Sequence, residues 1–431
     1  MRGLGRLLGR AGWNVLDQGV LSLTNLALSV LVARSVDASG FGAFSLCFTV
    51  YSLTIICSRN LVSQPLIIRF ADAGAAEFRD AAGRSAGAAA SIGLLVGTVA
   101  VVVGLAVGGV VGHCLIAMGL VLPGVLVQDA WRLVAIARRQ PRTAVSLDVT
   151  WGGLQLAAVF LLVATDVAAI PLFIAAWGLT AASAAAIGAG RMGLVPRLRG
   201  AGAWVRQHFD LTGFTLFEAL LLQGAAQGVL LVIGAMGELE TVGALRAAQV
   251  VNGPIALLSA SAFTFAVPEL VNRRALRDLR PLTVALVIGS SLAVVGAVWN
   301  GVLLLVPDAY GERLLGASWD GMSAILFVFA IGQVGNLVAV GPAVVAYAMG
   351  ETRTTFSIHC VLAVLLAAGG LLGHSLGGAV GTAAGFAVAY WAALPFWFLR
   401  LRSLRRAHAA RRLDTRHGSS AASPRDSVRR S

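Results

Sequence analysis

The chain has 431 residues, 58% of them hydrophobic and only 12% charged, and a net charge of +13. A soluble domain carries about 45–50% apolar and about 25% charged residues, so an ordinary soluble protein is excluded and a membrane-embedded one expected. All 33 Lys/Arg positions are arginine; without lysine there is neither a Walker-type phosphate loop nor an imine-forming amine.

Runs such as "VLSLTNLALSVLVA" and "AGAAASIGLLVGTVAVVVGLAVGGVVG" recur from end to end. About 20 apolar residues cross a bilayer as a helix, whereas barrel strands would alternate apolar and polar residues. Apolar length and charged or Gly/Pro breaks predict twelve helices. Six lie near 15–36, 41–63, 86–108, 110–131, 143–165 and 168–190. Six more lie near 211–236, 243–268, 282–306, 321–347, 354–374 and 377–399. The first is read as a retained helix, since its apolar part is too long for a signal peptide and no small-x-small cleavage site follows. Cys47, Cys57, Cys114 and Cys360 share no CxxC spacing, so neither a disulfide framework nor a metal cluster is expected.

Arginine collects on alternate loops: Arg2, Arg6 and Arg10, then Arg69, Arg79 and Arg84, then Arg132, Arg138, Arg139 and Arg142, then Arg191, Arg197, Arg199 and Arg206, then "NRRALRDLR", Arg353 and the tail. The loops between them ("DASG", "TDVAAI", "GELET", "PDAYGERLLGASWDG", "HSLG") hold only Arg313. By the positive-inside rule both termini face the cytoplasm. The opposite loops are too short for a catalytic domain.

The string "DASGFGAF" at 37–44 has an echo in "ELETVGAL" at 238–245, with Gly42 on Gly243. Each is a tight turn between the first two helices of a half. "RTAVS" (142–146) and "RTTFS" (353–357) form a second echo at the start of the fifth helix of each half. The expected fold is therefore all-α and polytopic, with two pseudo-symmetric six-helix bundles. Their bounds are a cytoplasmic N-terminus at 1–14, bundles at 15–200 and 201–399, and a basic, disordered cytoplasmic tail at 400–431. Parallel repeats related by an axis along the membrane normal are a transporter architecture, with the substrate site between them.

The segment "LTNLALSVLVARSVDASGFGAFSLCFTVYSL" resembles the first two helices of lipid-linked oligosaccharide flippases, the polysaccharide-transport branch of the MATE-like (MOP) superfamily. "AIARRQPRTAVSLD", "VGALRAAQVVNGPIALL" and "LLGASWDG" are similar to that family too. The resemblance implies a two-lobed flippase in a bacterial plasma membrane that moves an undecaprenyl-pyrophosphate-linked sugar unit outward. It implies no enzyme activity, no cofactor and no ATP hydrolysis. It leaves polysaccharide-assembly proteins open as partners.

Such a headgroup calls for a cationic anchor and for hydroxyl or amide groups. Arginine's planar fork suits phosphate, and Arg34, Arg59 and Arg246 fall within or beside predicted spans. The plain alternative is that they snorkel to the interfaces. Asp17, Gln18 and Asn25 lie on the first helix, Glu218, Gln223 and Gln227 on the seventh, and Gln249 and Asn252 on the eighth. Polar groups in a bilayer must face protein or water, so these stripes read either as a shared cavity or as interhelical glue. Pro254 is expected to kink the eighth helix. The tail is expected to meet anionic lipid; it lacks the interleaved aromatics of a nucleic-acid site. Three alternatives stay open. One is a MATE-like cation-coupled exporter leaning on Asp17, Asp129 and Glu218; the others are a membrane polysaccharide polymerase or ligase, and a scaffold.

Overall fold

The computed structural model describes Gly19 and residues 22–167, 169–272 and 281–420. Every regular element among those residues is helical. Helix α1 covers 22–35, α2 Ala38–Arg69, α3 Ala75–Val107, α4 Gly109–Ala137, α5 Pro141–Ala164 and α6 Ile170–Met192. Helix α7 is Ala201–Ala235, and α8 is Leu239–Val251 followed, after a break, by Gly253–Asn272. Helices α9 (Pro281–Leu304) and α10 (Ser318–Ala348) precede α11 (352–376) and α12 (379–420), which are separated by non-helical Gly377 and Gly378. Among the described residues twelve helices thus stand near the twelve predicted, with one short further helix, Asp308–Leu315, between α9 and α10, in a multi-pass membrane protein. Helix α12 runs on to Ser420, so residues 400–420, expected as a disordered tail, are helical.

The breaks follow local chemistry. Asp37 caps α2, its Oδ1 accepting from Gly40 N–H at 2.9 Å, as short polar residues at helix starts do. Gly108 (φ +66°) and Gly193 (φ +60°) supply the positive φ that turns the chain after α3 and α6. Pro141 starts α5, where its missing N–H has no helical partner to lose.

The two ends of the molecule are packed differently. Toward the arginine-poor loops one core runs through both bundles, joining Leu28, Phe41 and Phe44 of the first to Ala248, Trp319 and Met322 of the second. Toward the arginine-rich loops the cores are separate. One holds Leu66, Phe78, Trp131 and Leu147; others hold Ala343, Ile358 and Trp397, or Ala285, Val345 and Leu401. Continuous apolar packing resists separation and discontinuous packing permits it. The bundles share one core at the arginine-poor face and hold separate cores at the other.

The repeated turn lies at that shared core. A Cβ on Gly42 would collide with the Leu239 carbonyl, and one on Gly243 would sit 3.0 Å from the Ala38 carbonyl and 3.2 Å from the Gly42 nitrogen. The duplicated glycines face each other between bundles, and only a missing side chain lets the two backbones approach so closely.

Helix α7 bridges the bundles. Its first turns, with Ala201 and Trp204, lie in the core of the first bundle. Val229 and Ile233 near its far end pack with Leu362, Leu366 and Phe386 of the second. A π-helical segment, Leu220–Gly224, lies between the two regions.

Candidate functional site

A cavity of about 320 Å³ lies between α1 and α8. Helix α1 contributes Ser22, Asn25 and Ser29, spaced three and four apart so that they share one face. Helix α8 contributes Arg246, Gln249 and Gly253, the same spacing from the facing side. Asn25, Arg246 and Gln249, singled out from sequence, are therefore brought together, while Ser22 and Ser29 escaped notice because serine is common in apolar helices.

The break in α8 shapes this wall. The helix bends by 58° at Asn252, two residues before Pro254, where the kink was expected. The bend frees backbone carbonyls, which in a membrane must find partners. Trp299 Nε1 donates to the Val251 carbonyl at 3.1 Å. Asn300 Nδ2 donates to Asn252 Oδ1 at 3.0 Å, and Asn252 Nδ2 to the Ala248 carbonyl at 3.0 Å. Asn252 thus joins α8 to α9 and does not line the cavity.

Arg246 is the ionisable group in the cavity wall. Its guanidinium carbon lies 5.7 Å from the centroid of the Phe48 ring, and its buried Nε has no hydrogen-bond partner. The ring face offers a modest cation–π attraction, and no acidic side chain among the described residues lines the cavity with it. A desolvated charge without a counter-ion is costly, so this wall is electrostatically incomplete without an anion.

Arg59 is in the opposite situation. Its Nε and Nη2 clamp Asp129 at 3.0 and 2.7 Å. Arg132 Nη1 lies 4.0 Å from Asp129, and Arg132 Nε is 2.8 Å from Asp148. Gln128 Nε2 donates to Asp148 at 3.2 Å. Two guanidiniums and two carboxylates form a neutral set within the first bundle. Asp129 is therefore held by fixed positive charge and does not stand free as a cation ligand. Arg132 falls just beyond the predicted end of the fourth helix at 131. The structure carries α4 on to Ala137 and buries Arg132 to 3% exposure.

The remaining candidates are dispersed. Arg34 is exposed at the arginine-poor end of α1, where Gly316 packs against it. Glu218 Oε1 accepts from Tyr347 Oη at 2.6 Å and from Thr355 Oγ1 at 3.4 Å. His359 Nδ1 lies 3.3 Å from the same oxygen in an electrostatic contact without hydrogen-bond geometry. This group ties α7 to α10 and α11 and was missed because its members lie 129 to 141 positions from Glu218. Gln223 is exposed in the π segment of α7 and Gln227 half-buried beyond it; neither lines the cavity. Asp17 and Gln18 lie outside the described residues. Among the described residues no cluster of three His, Cys, Asp or Glu side chains is placed to hold a metal ion, and all four cysteines are free.

No family model and no curated protein matches the chain. Solved structures do. The lipid II flippase MurJ in an inward closed conformation superimposes with a TM-score of 0.64 at 12% identity, over 92% of this chain and 87% of that one. An inward-facing multidrug-resistance MATE transporter of the MOP superfamily gives 0.64 at 13% identity, over 90% and 94%. The eukaryotic MATE transporter AtDTX14 gives 0.60 at 12% identity, over 93% and 96%. The chain has the fold of MOP-superfamily transporters.

Proposed function

We propose that this chain flips a lipid-pyrophosphate-linked oligosaccharide, or a related polysaccharide precursor, across a bacterial plasma membrane by alternating access. The observation that carries the reading is Arg246, a partly buried cation with no carboxylate beside it among the described residues, set among Ser22, Asn25, Ser29 and Gln249 between the bundles. A guanidinium awaiting an oxyanion, ringed by hydroxyl and amide groups, suits a phosphate bearing a sugar. The arginine-rich face is assigned to the cytoplasm. The gap between the bundles then opens toward the leaflet where such precursors are assembled. At about 320 Å³ the cavity is at the low end of small-ligand sites, roughly 300–1,000 Å³, so a longer glycan extends into the gap.

The exporter reading draws support from Glu218, a carboxylate held within the second bundle beside His359, Tyr347 and Thr355. Against it, the charge in the cavity is positive and repels cationic drugs, and Asp129 is already neutralised by arginine. Glu218 fits a coupling role within a flippase equally well.

The test is reconstitution into liposomes with undecaprenyl-pyrophosphate-linked N-acetylglucosamine. Arg246→Gln should slow flipping roughly a hundredfold, the worth of a charge-assisted contact of about 1.5–3 kcal/mol. Flipping at the full rate in that variant would remove the proposal. Efflux of a cationic dye by the wild type, with no movement of the lipid, would favour the exporter.

A further inference from the structure

The arginine-rich half of α2 carries a second polar surface, away from the Arg246 cavity. A π-helical segment runs over Arg59–Ser63, and the Gln64 N–H bonds to the Arg59 carbonyl five residues back. In an unbroken α-helix Ser63 would lie beneath Arg59 (i, i+4). The wider turn rotates Val62 and Ser63 into the core and sets Gln64 on the open side below Arg59. The Val62 carbonyl accepts from Trp204 Nε1 at 3.2 Å and from Ser85 Oγ at 3.3 Å. The irregular turn is therefore built in and held from two neighbouring helices; such π turns are frequent at functional sites.

Arg59, Asn60 and Gln64 result as an accessible polar stripe on a span that is otherwise mostly buried. The Arg59 side chain is 44% exposed even while it grips Asp129. Asn60 uses its Nδ2 on the Ile56 carbonyl at 2.9 Å and leaves its Oδ1 open. Lipid offers such groups no partner, so the stripe calls for water or a polar ligand rather than acyl chains.

The charge on this stripe is already cancelled. Asp129 takes the Nε–Nη2 edge of Arg59, while Nη1 makes no contact with a protein acceptor. What Arg59 presents is a fixed set of donors with little net field, beside a free amide oxygen and a free carboxamide. Such a set suits neutral hydroxyl and acetamido groups better than phosphate. We propose that Arg59, Asn60 and Gln64 bind the uncharged sugar portion of the translocated lipid, with Asp129 as the positioning residue that aims Arg59. This rests on the flippase reading and assigns the two halves of its substrate to different places, pyrophosphate to Arg246 and sugar to α2.

The test compares two lipids on the full chain in nanodiscs: undecaprenyl pyrophosphate, and the same lipid carrying N-acetylglucosamine. The wild type should bind the sugar-bearing lipid more tightly. The double variant Asn60→Ala, Gln64→Ala should weaken that lipid about tenfold, the worth of one or two hydrogen bonds, and leave the bare lipid unchanged. Both residues are accessible, so the fold should survive. Asp129→Asn should raise affinity for the bare lipid and make it more salt-sensitive, because the charge on Arg59 then loses its internal counter-ion. If the double variant binds both lipids as the wild type does, or weakens them equally, the sugar track is overturned while the flippase reading stands. If Arg246→Gln leaves the bare lipid unaffected, the reading beneath it falls.

Discussion

Arg59 in the first bundle and Arg246 in the second are both arginines inside a membrane protein, and their surroundings make them different reagents. Arg59 is one of two cations balanced by Asp129 and Asp148. Arg246 has an aromatic face and a polar cavity, but no carboxylate. A charge with an internal counter-ion serves as scaffold and hydrogen-bond donor; one without draws its counter-ion from the substrate. What matters is how each charge is compensated, a property of the fold rather than of residue type.

The sharpest way to break the comparison is to move the compensation. Introducing a carboxylate beside Arg246, as Gln249→Glu three residues along the same face, should supply an internal counter-ion. Flipping should then fall at least as far as in Arg246→Gln, roughly a hundredfold or more. An unchanged flipping rate in liposomes would show that Arg246 does not meet the anion.

In the first bundle, Asp148→Ala should leave Arg132 short of a buried counter-ion. It should cost about 3–5 kcal/mol of stability, read as a lowered midpoint in thermal unfolding in detergent. Asp129→Ala should cost less, because Arg59 is 44% exposed and can turn toward water. Equal losses would mean that exposure does not grade the network.

A smaller effect is expected at the closure. Gly42→Ala forces a Cβ against the Leu239 carbonyl, so the arginine-poor ends should separate more often. Labelling of a cysteine placed at Ala38 should speed up severalfold; unchanged labelling would show that the glycine contact does not hold the bundles shut. The smallest effect belongs to Arg34, exposed at the rim: Arg34→Ala should change flipping by less than about twofold.

The sequence showed most of the fold, because apolar length and the arginine rhythm depend on neighbours along the chain. The twelve spans were legible for that reason, and so was the repeat that places Gly42 opposite Gly243. Arg246, Gln249 and Asn25 were legible as polar groups at helical spacing. What stayed hidden depends on distant partners. The clamp on Arg59 comes from Asp129, 70 positions away, and Arg132 looked like a loop arginine because α4 continues past its predicted end. Asn252 looked like a cavity residue, but the break in α8 turned it toward Asn300. The π turn at Arg59–Ser63 contains neither proline nor glycine. Its one cue is Pro65 just beyond it, which has no N–H to give the Leu61 carbonyl and was passed over because it stands two residues outside the turn.

The central claim is that the two bundles are hinged, joined at the arginine-poor face and parted at the other around an anion-seeking Arg246. Electron spin labels at Gln140 and Thr352, and in a second sample at Asp37 and Glu240, measure both ends directly. On adding undecaprenyl-pyrophosphate-linked N-acetylglucosamine, the first distance should shorten and the second lengthen, with both changes absent in Arg246→Gln. If the two distances stay fixed, or move in the same direction, the account is contradicted.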